Sequence, residues 1–149
     1  MNHPTRIFSP DIDCYKGSSI FIITFSYCLM KILIAEDDPI SLLLLQKQLA
    51  SETFELCVAS DGHEAFNKLI AFQPDLLVTD LMMPRTSGLE LIGQVRANYK
   101  EKLPILVLSA MDDESTVMEA LSIGADDFII KPAEKQELLR KIKRLCKLK

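Results

Sequence analysis

Four short stretches carry residues able to do chemistry, and each directly follows an apolar run. They are Glu36-Asp37-Asp38 after "KILIA", Asp80 in "LLVTDLMMP", Ser109 in "PILVLSA" and Lys131-Pro132 in "DFIIKP". Asp80 is the sharpest case: an apolar run ends abruptly in a carboxylate, and Pro84 then turns the chain away. If these ends meet, two carboxylates about 5 Å apart repel by about 3 kcal/mol at an effective dielectric of 20. Such a cluster must bind protons or a cation. A hard divalent ion with oxygen ligands fits, and Mg²⁺ is favoured when a phosphate completes its shell. Lys131 offers a mobile point charge and Ser109 a hydrogen-bond donor. Charge neutralisation is the main requirement of phosphoryl transfer, and a carboxylate can itself be the nucleophile. The residue types therefore point to Asp80 accepting a phosphoryl group beside Mg²⁺.

These residues need elements that bring them to one edge. From Met30 onward, short apolar runs at 31–35, 54–59, 75–79, 104–109 and 128–130 alternate with helical patterns. The runs are nearly continuous in apolar residues, as in parallel strands buried on both faces. Helices are expected at 39–50 with Ile40, Leu43 and Leu44 inward, and at 62–72 with Ala65, Phe66, Leu69 and Ile70 inward. Three more are expected at 87–98 (Leu89, Ile92, Val95), 113–123 (Val117, Ala120, Leu121) and 134–148 (Leu138, Ile142, Leu145). The spacing in each case gives one apolar face. Five such units with short connections make an α/β, doubly wound, five-stranded parallel sheet. All strand carboxyl ends of such a sheet share one edge, where ligands bind. Asp38-Pro39 reads as a helix cap followed by proline at the first helical position. Gly124 stands where a left-handed residue is wanted after the fourth helix. Pro74 and Pro104 precede strands.

The stretches "ILIAEDDP", "PDLLVTDLMMPRTSGLEL", "PILVLSA" and "GADDFIIKP" resemble, in order, the motifs of bacterial two-component response-regulator receiver domains. The likeness covers Met30 to about Lys147 and suggests a single-domain member of the chemotaxis or sporulation-regulator kind. It implies a flavodoxin-like sheet in the order 2-1-3-4-5. It implies Asp80 as phosphoacceptor, with Glu36, Asp37, Asp80 and the Met82 backbone carbonyl holding Mg²⁺. Ser109 matches the hydroxyl that contacts the phosphoryl group, Lys131 the pairing lysine and Phe128 the aromatic switch. A cis Lys131–Pro132 peptide is implied as well. Glu36 stands where many members have aspartate, and Ser109 where many have threonine; both keep the chemistry in kind. On this reading the chain is a phosphorylation-activated switch rather than an enzyme. A sensor histidine kinase or phosphotransfer protein is the donor. An unidentified output protein reads the face made by helix four, strand five and helix five, and the resemblance allows a phosphorylation-dependent homodimer.

Two other classes are weighed against it. Aspartate-nucleophile phosphatases need a second aspartate two residues after the first, where this chain has Met82, and no Gly-rich phosphate loop is present. The chain could also be the receiver of a longer regulator. Plainer readings hold for several residues: Asp38 as a cap, Phe128 as core, Met82-Met83 as packing and turn. The basic run after Glu134 has no interleaved aromatics and reads as a solvated helix end. A net charge of −4 gives no pointer to nucleic acid. Cys14, Cys28, Cys57 and Cys146 are scattered, as in a reduced cytoplasmic protein. His3 and His63 are isolated, so zinc is not expected. Residues 1–29 read as an extension outside the fold, with 30–149 as the receiver unit. The apolar segment "IFIITFSYCL" is too short to span a bilayer, which takes about 20 residues.

Overall fold

The computed structural model describes residues 29–99, 102–110 and 114–147. The expected extension lies outside these residues except for Leu29, as do the expected helix limits Asp113 and Leu148. The elements alternate as expected: β1 (Met30–Ala35), α1 (Pro39–Leu49), β2 (Phe54–Ala59), α2 (Gly62–Phe72), β3 (Leu76–Asp80), α3 (Gly88–Asn98), β4 (Ile105–Ser109), α4 (Glu114–Ile123), β5 (Asp127–Ile130) and α5 (Lys135–Leu145). All strand pairs are parallel, in the order β2-β1-β3-β4-β5.

The sheet is covered on both faces, which is why its central strands β3 and β4 are buried and largely apolar, with the polar exceptions Thr79, Asp80 and Ser109 gathered at the carboxyl ends. Leu33, Leu77, Ile105 and Val107 face Ala65, Leu69, Ile92, Val95, Val117 and Ala120 of α2, α3 and α4. Ile32, Ile34, Val78, Leu106 and Ile129 face Leu45, Leu49, Leu138 and Ile142 of α1 and α5. Successive strand residues point to opposite faces, so each run feeds both cores.

Local chemistry sets the boundaries. Asp38 caps α1 by accepting from Ser41 N at 2.7 Å, with Pro39 as the first helical residue. Asp61 caps α2, and Ser87 with Glu90 closes a capping box on α3. Gly124 takes φ +135° after α4, and the Arg96 side chain runs so close that a Cβ there would clash. Arg96 itself donates to the carbonyls of Gly124 and Leu103 and to Asp126, tying α3 to the amino edge of the sheet.

The orientation of α1 differs from expectation. Ile40, Leu43 and Leu44 are exposed, at 77%, 52% and 44%, whereas Leu45 and Leu49 are buried. The run Leu42–Leu45 gives two apolar stripes on one helix, and local spacing cannot choose between them. The choice is made by packing: Leu45 and Leu49 sit beside Ile32 and Ile34 of β1. Ile70 on α2 is likewise outside, at 73% exposure, while Ala65 and Leu69 carry the contact.

Replacing Leu45 with alanine should cost about 2–5 kcal/mol, as a buried leucine truncation does. Leu43→Ala should fall within about 0.5 kcal/mol. Urea unfolding of the two variants measures this, and the reverse ranking would put the other stripe in the core.

Candidate phosphoacceptor site

Register brings the strand ends together. Ala35 pairs with Thr79, so one step further along Glu36, just past the end of β1, stands beside Asp80, the last residue of β3. Glu36 stays tied to the sheet through its backbone N–H, which donates to the Ala59 carbonyl at 3.0 Å. Carboxylate oxygens of Glu36, Asp37 and Asp80 all lie within 4.8 Å of one another. Glu36 and Asp80 are buried, and Asp37 is exposed at the rim.

Lys131 enters from the other side. Its backbone N–H donates to the Ser109 carbonyl at 2.7 Å, which fixes the chain just past β5 against the end of β4. The Lys131–Pro132 peptide is cis. The ammonium donates to Asp80 Oδ2 at 2.8 Å and lies 2.7 Å from Glu36 Oε2. The second contact is a close ion pair, so the ammonium bridges the two buried carboxylates. Burial pushes the Glu36 carboxyl above the ordinary glutamate range, Lys131 pulls it down, and the Asp80 charge adds to the rise. For Lys131, burial alone would lower the pKa. The hydrogen bond to Asp80 and the contacts with Glu36 outweigh it, and the ammonium is held above its ordinary value.

The other expected residues are nearby but differently engaged. Asp80 Oδ1 accepts from Met82 N at 3.2 Å, while the Met82 side chain is 70% exposed. Ser109 is buried, and its hydroxyl donates to the neighbouring Ala110 carbonyl at 3.2 Å rather than to Asp80. Phe128 is half-buried against the α2–α3–α4 core, with the Lys141 ammonium 5.2 Å from its ring centroid. Asp38 caps α1, as expected.

The donor set suits a hard divalent cation. Three carboxylates face one ammonium, an excess of negative charge that a cation with oxygen ligands would offset. Sequence reasoning missed two residues that hold the surroundings. Gln48 on α1 donates to the Ala133 carbonyl at 2.6 Å, beside the Lys131 turn. Arg85 pairs with the buried Asp61. Asp61 followed three residues later by Glu64 is a cap signal visible in sequence. Nothing comparable marks Gln48.

Comparisons with known proteins point to one family. A family model described as the response regulator receiver domain matches residues 32–143. The alkaline phosphatase synthesis transcriptional regulatory protein PhoP of Bacillus subtilis is 37% identical over 117 residues, 78% of this chain and 48% of that protein. Response regulator MprA of Mycobacterium leprae is 40% identical over 118 residues, 79% of this chain and 51% of that protein. The chain thus spans about half the length of the curated relatives it matches. A solved response regulator from Chloroflexus aurantiacus superposes with a TM-score of 0.76 at 32% identity, covering 80% of this chain and 98% of that one. The receiver domain of the sensor histidine kinase PA1611 from Pseudomonas aeruginosa, solved with magnesium in its active-site cleft, shares the fold at a TM-score of 0.74 and 24% identity, over 80% of this chain and 98% of that one. The matched segment runs from the first strand into the last helix, and the chain belongs to the response regulator receiver domain family.

Proposed function

We propose that Asp80 accepts a phosphoryl group from the phosphohistidine of a sensor kinase or phosphotransfer protein, in a Mg²⁺-dependent reaction in the cytoplasm. The observation that carries this reading is the meeting of three carboxylates within 4.8 Å of one another, with Lys131 bonded to Asp80. Glu36, Asp37, Asp80 and the Met82 carbonyl would hold Mg²⁺. The ion would neutralise charge on the phosphoryl oxygens, and magnesium in the cleft of the Pseudomonas receiver supports the assignment.

An Asp80 oxygen attacks phosphorus in line. The phosphorus–nitrogen bond breaks, and the imidazole leaves as the donor's histidine takes up a proton. Lys131 releases Asp80 and follows the new equatorial oxygens as a mobile point charge. Ser109 exchanges its bond to Ala110 for one to the phosphoryl group. Phe128 then turns inward and the α4–β5–α5 face changes. The product must favour the switched state by differential contacts, and the Ser109 bond is the one that differs. The chain is on this view a phosphoacceptor, not a turnover enzyme. Its output protein, and any homodimer, would read that face.

Acetyl phosphate with Mg²⁺ should add one hydroxylamine-labile phosphoryl group, and Asp80→Asn should abolish it; undiminished labelling would sink the assignment. Asp37→Ala should lower Mg²⁺ affinity and labelling, while metal-free thermal stability holds or rises because repulsion around Asp80 is relieved. A clear loss of metal-free stability would make Asp37 mainly structural. Since burial raises Glu36, protons compete for it at higher pH than for an ordinary glutamate, so Mg²⁺ affinity should fall as pH drops toward the carboxylate range. In the phosphorylated sample, amide shifts should reach Phe128 and Lys141. Changes confined to the acidic pocket would remove the switch.

Ile40, Leu43 and Leu44 leave an exposed aliphatic stripe on α1 directly after the acidic turn, a surface that the phosphohistidine donor would cover. Leu43→Ala should slow transfer from a phosphohistidine donor but not from acetyl phosphate. Equal slowing by both would place the defect in the pocket instead.

Residues 1–29 are read as lying outside the receiver unit. A chain starting at Met30 should melt and become phosphorylated like the full chain. A stability loss beyond about 2 kcal/mol would make the extension a structural element.

A further inference from the structure

The loop after β3 has a demanding task in the reading above, since it must present the Met82 carbonyl to the metal. Met82 contributes no anchoring side chain of its own. The loop is closed at one end by Gly88 N–H donating to the Leu81 carbonyl at 2.9 Å. A Cβ at Gly88 would run into the Asp80 carbonyl, so the approach there is as close as a backbone permits. Between these points Met83 is buried, and the Arg85–Thr86 step is tied to the start of α2.

That tie has two parts. Gly62 N–H donates to the Thr86 carbonyl at 3.0 Å, where a Cβ on Gly62 would lie 2.7 Å from the Thr86 methyl. The Arg85 guanidinium pairs with Asp61, whose other oxygen accepts from Glu64 N at 2.8 Å. Arg85 takes φ +64°, in the left-handed region that is unfavourable for a residue with a Cβ. A glycine would sit there without strain, whereas the arginine gains the contact with Asp61. The pair is asymmetric: Asp61 is 3% exposed and Arg85 is 72% exposed. An exposed pair would contribute little, but removing the partner of a buried carboxylate leaves that charge uncompensated.

We infer that Asp61 and Arg85 are a positioning pair that fixes the β3–α3 loop and, through it, the Met82 carbonyl at the metal site. The inference rests on the Mg²⁺ reading above. Groups that orient metal ligands change affinity without touching the ion.

Two variants separate positioning from charge. Asp61→Asn keeps an acceptor for the α2 cap, where asparagine and aspartate are about equal, and removes the charge. Arg85→Gly removes the guanidinium and suits the backbone angle. By field alone the two act oppositely, because losing an anion weakens Mg²⁺ binding and losing a cation strengthens it. If the pair positions the loop, both variants weaken binding, by about tenfold in calorimetric titration. The metal-free urea midpoint should stay close to that of the parent chain for Asp61→Asn, and should fall for Arg85→Gly, which leaves Asp61 buried and unpaired. Opposite shifts in affinity would reduce the pair to a field effect and overturn the proposal. Unchanged affinity with lowered metal-free stability would make it only a fold staple and overturn it too. A parent chain that binds no Mg²⁺ would instead refute the metal reading itself, and this inference with it.

Discussion

Three carboxylates held against one another at the end of a parallel sheet set the terms for the rest of this molecule. At about 5 Å and an effective dielectric of 20, the buried Glu36–Asp80 pair repels by about 3 kcal/mol, and the exposed Asp37 adds less because solvent screens it. Lys131 offsets part of this by contacting Glu36 and Asp80 together. One ammonium cannot neutralise three carboxylates, and the remaining negative charge suits the pocket to a divalent cation. Under the proposed function, that cation would in turn offset the charge of a phosphoryl group.

Holding such a cluster takes a rigid frame. β1, β3 and β4 are covered on both faces by aliphatic side chains, so their ends cannot drift apart to relieve repulsion. Short ties then place each group: Glu36 N–H on the Ala59 carbonyl, Lys131 N–H on the Ser109 carbonyl, Gln48 on the Ala133 carbonyl. These bonds join neighbouring strands or elements across the sheet edge. Phe128 of β5 is packed on the core from one side and lies under the Lys141 ammonium from the other.

Much of this was legible in the amino-acid sequence because the chemistry sits at boundaries. A strand buried on both faces reads as an unbroken apolar run, so the polar residue that ends it stands out; Glu36, Asp80, Ser109 and Lys131 were all visible in that way. The capping pattern Asp38-Pro39 and the boundaries near Pro74 and Pro104 followed from backbone sterics. The inward face of α1 was not legible, because Leu42 to Leu45 offers two stripes and only contact with Ile32 and Ile34 selects one. The Arg85–Asp61 and Gln48–Ala133 contacts were hidden for a related reason. Their partners lie 24 and 85 residues apart, and a single polar residue carries no sign of what it will meet. The Ser109 bond to Ala110 likewise depends on a rotamer that sequence does not encode locally.

The central claim is that this constellation makes Asp80, and no other group, the nucleophile. Borohydride reduction of the chain after treatment with acetyl phosphate and Mg²⁺, followed by peptide mass mapping, tests it directly. An acyl phosphate on Asp80 is reduced to homoserine, so the account predicts that mass change at position 80 and nowhere else. Homoserine at Asp37, 2-amino-5-hydroxypentanoic acid (the reduction product of a glutamyl phosphate) at Glu36, or a phosphoryl group retained on a histidine with position 80 unchanged, would contradict it.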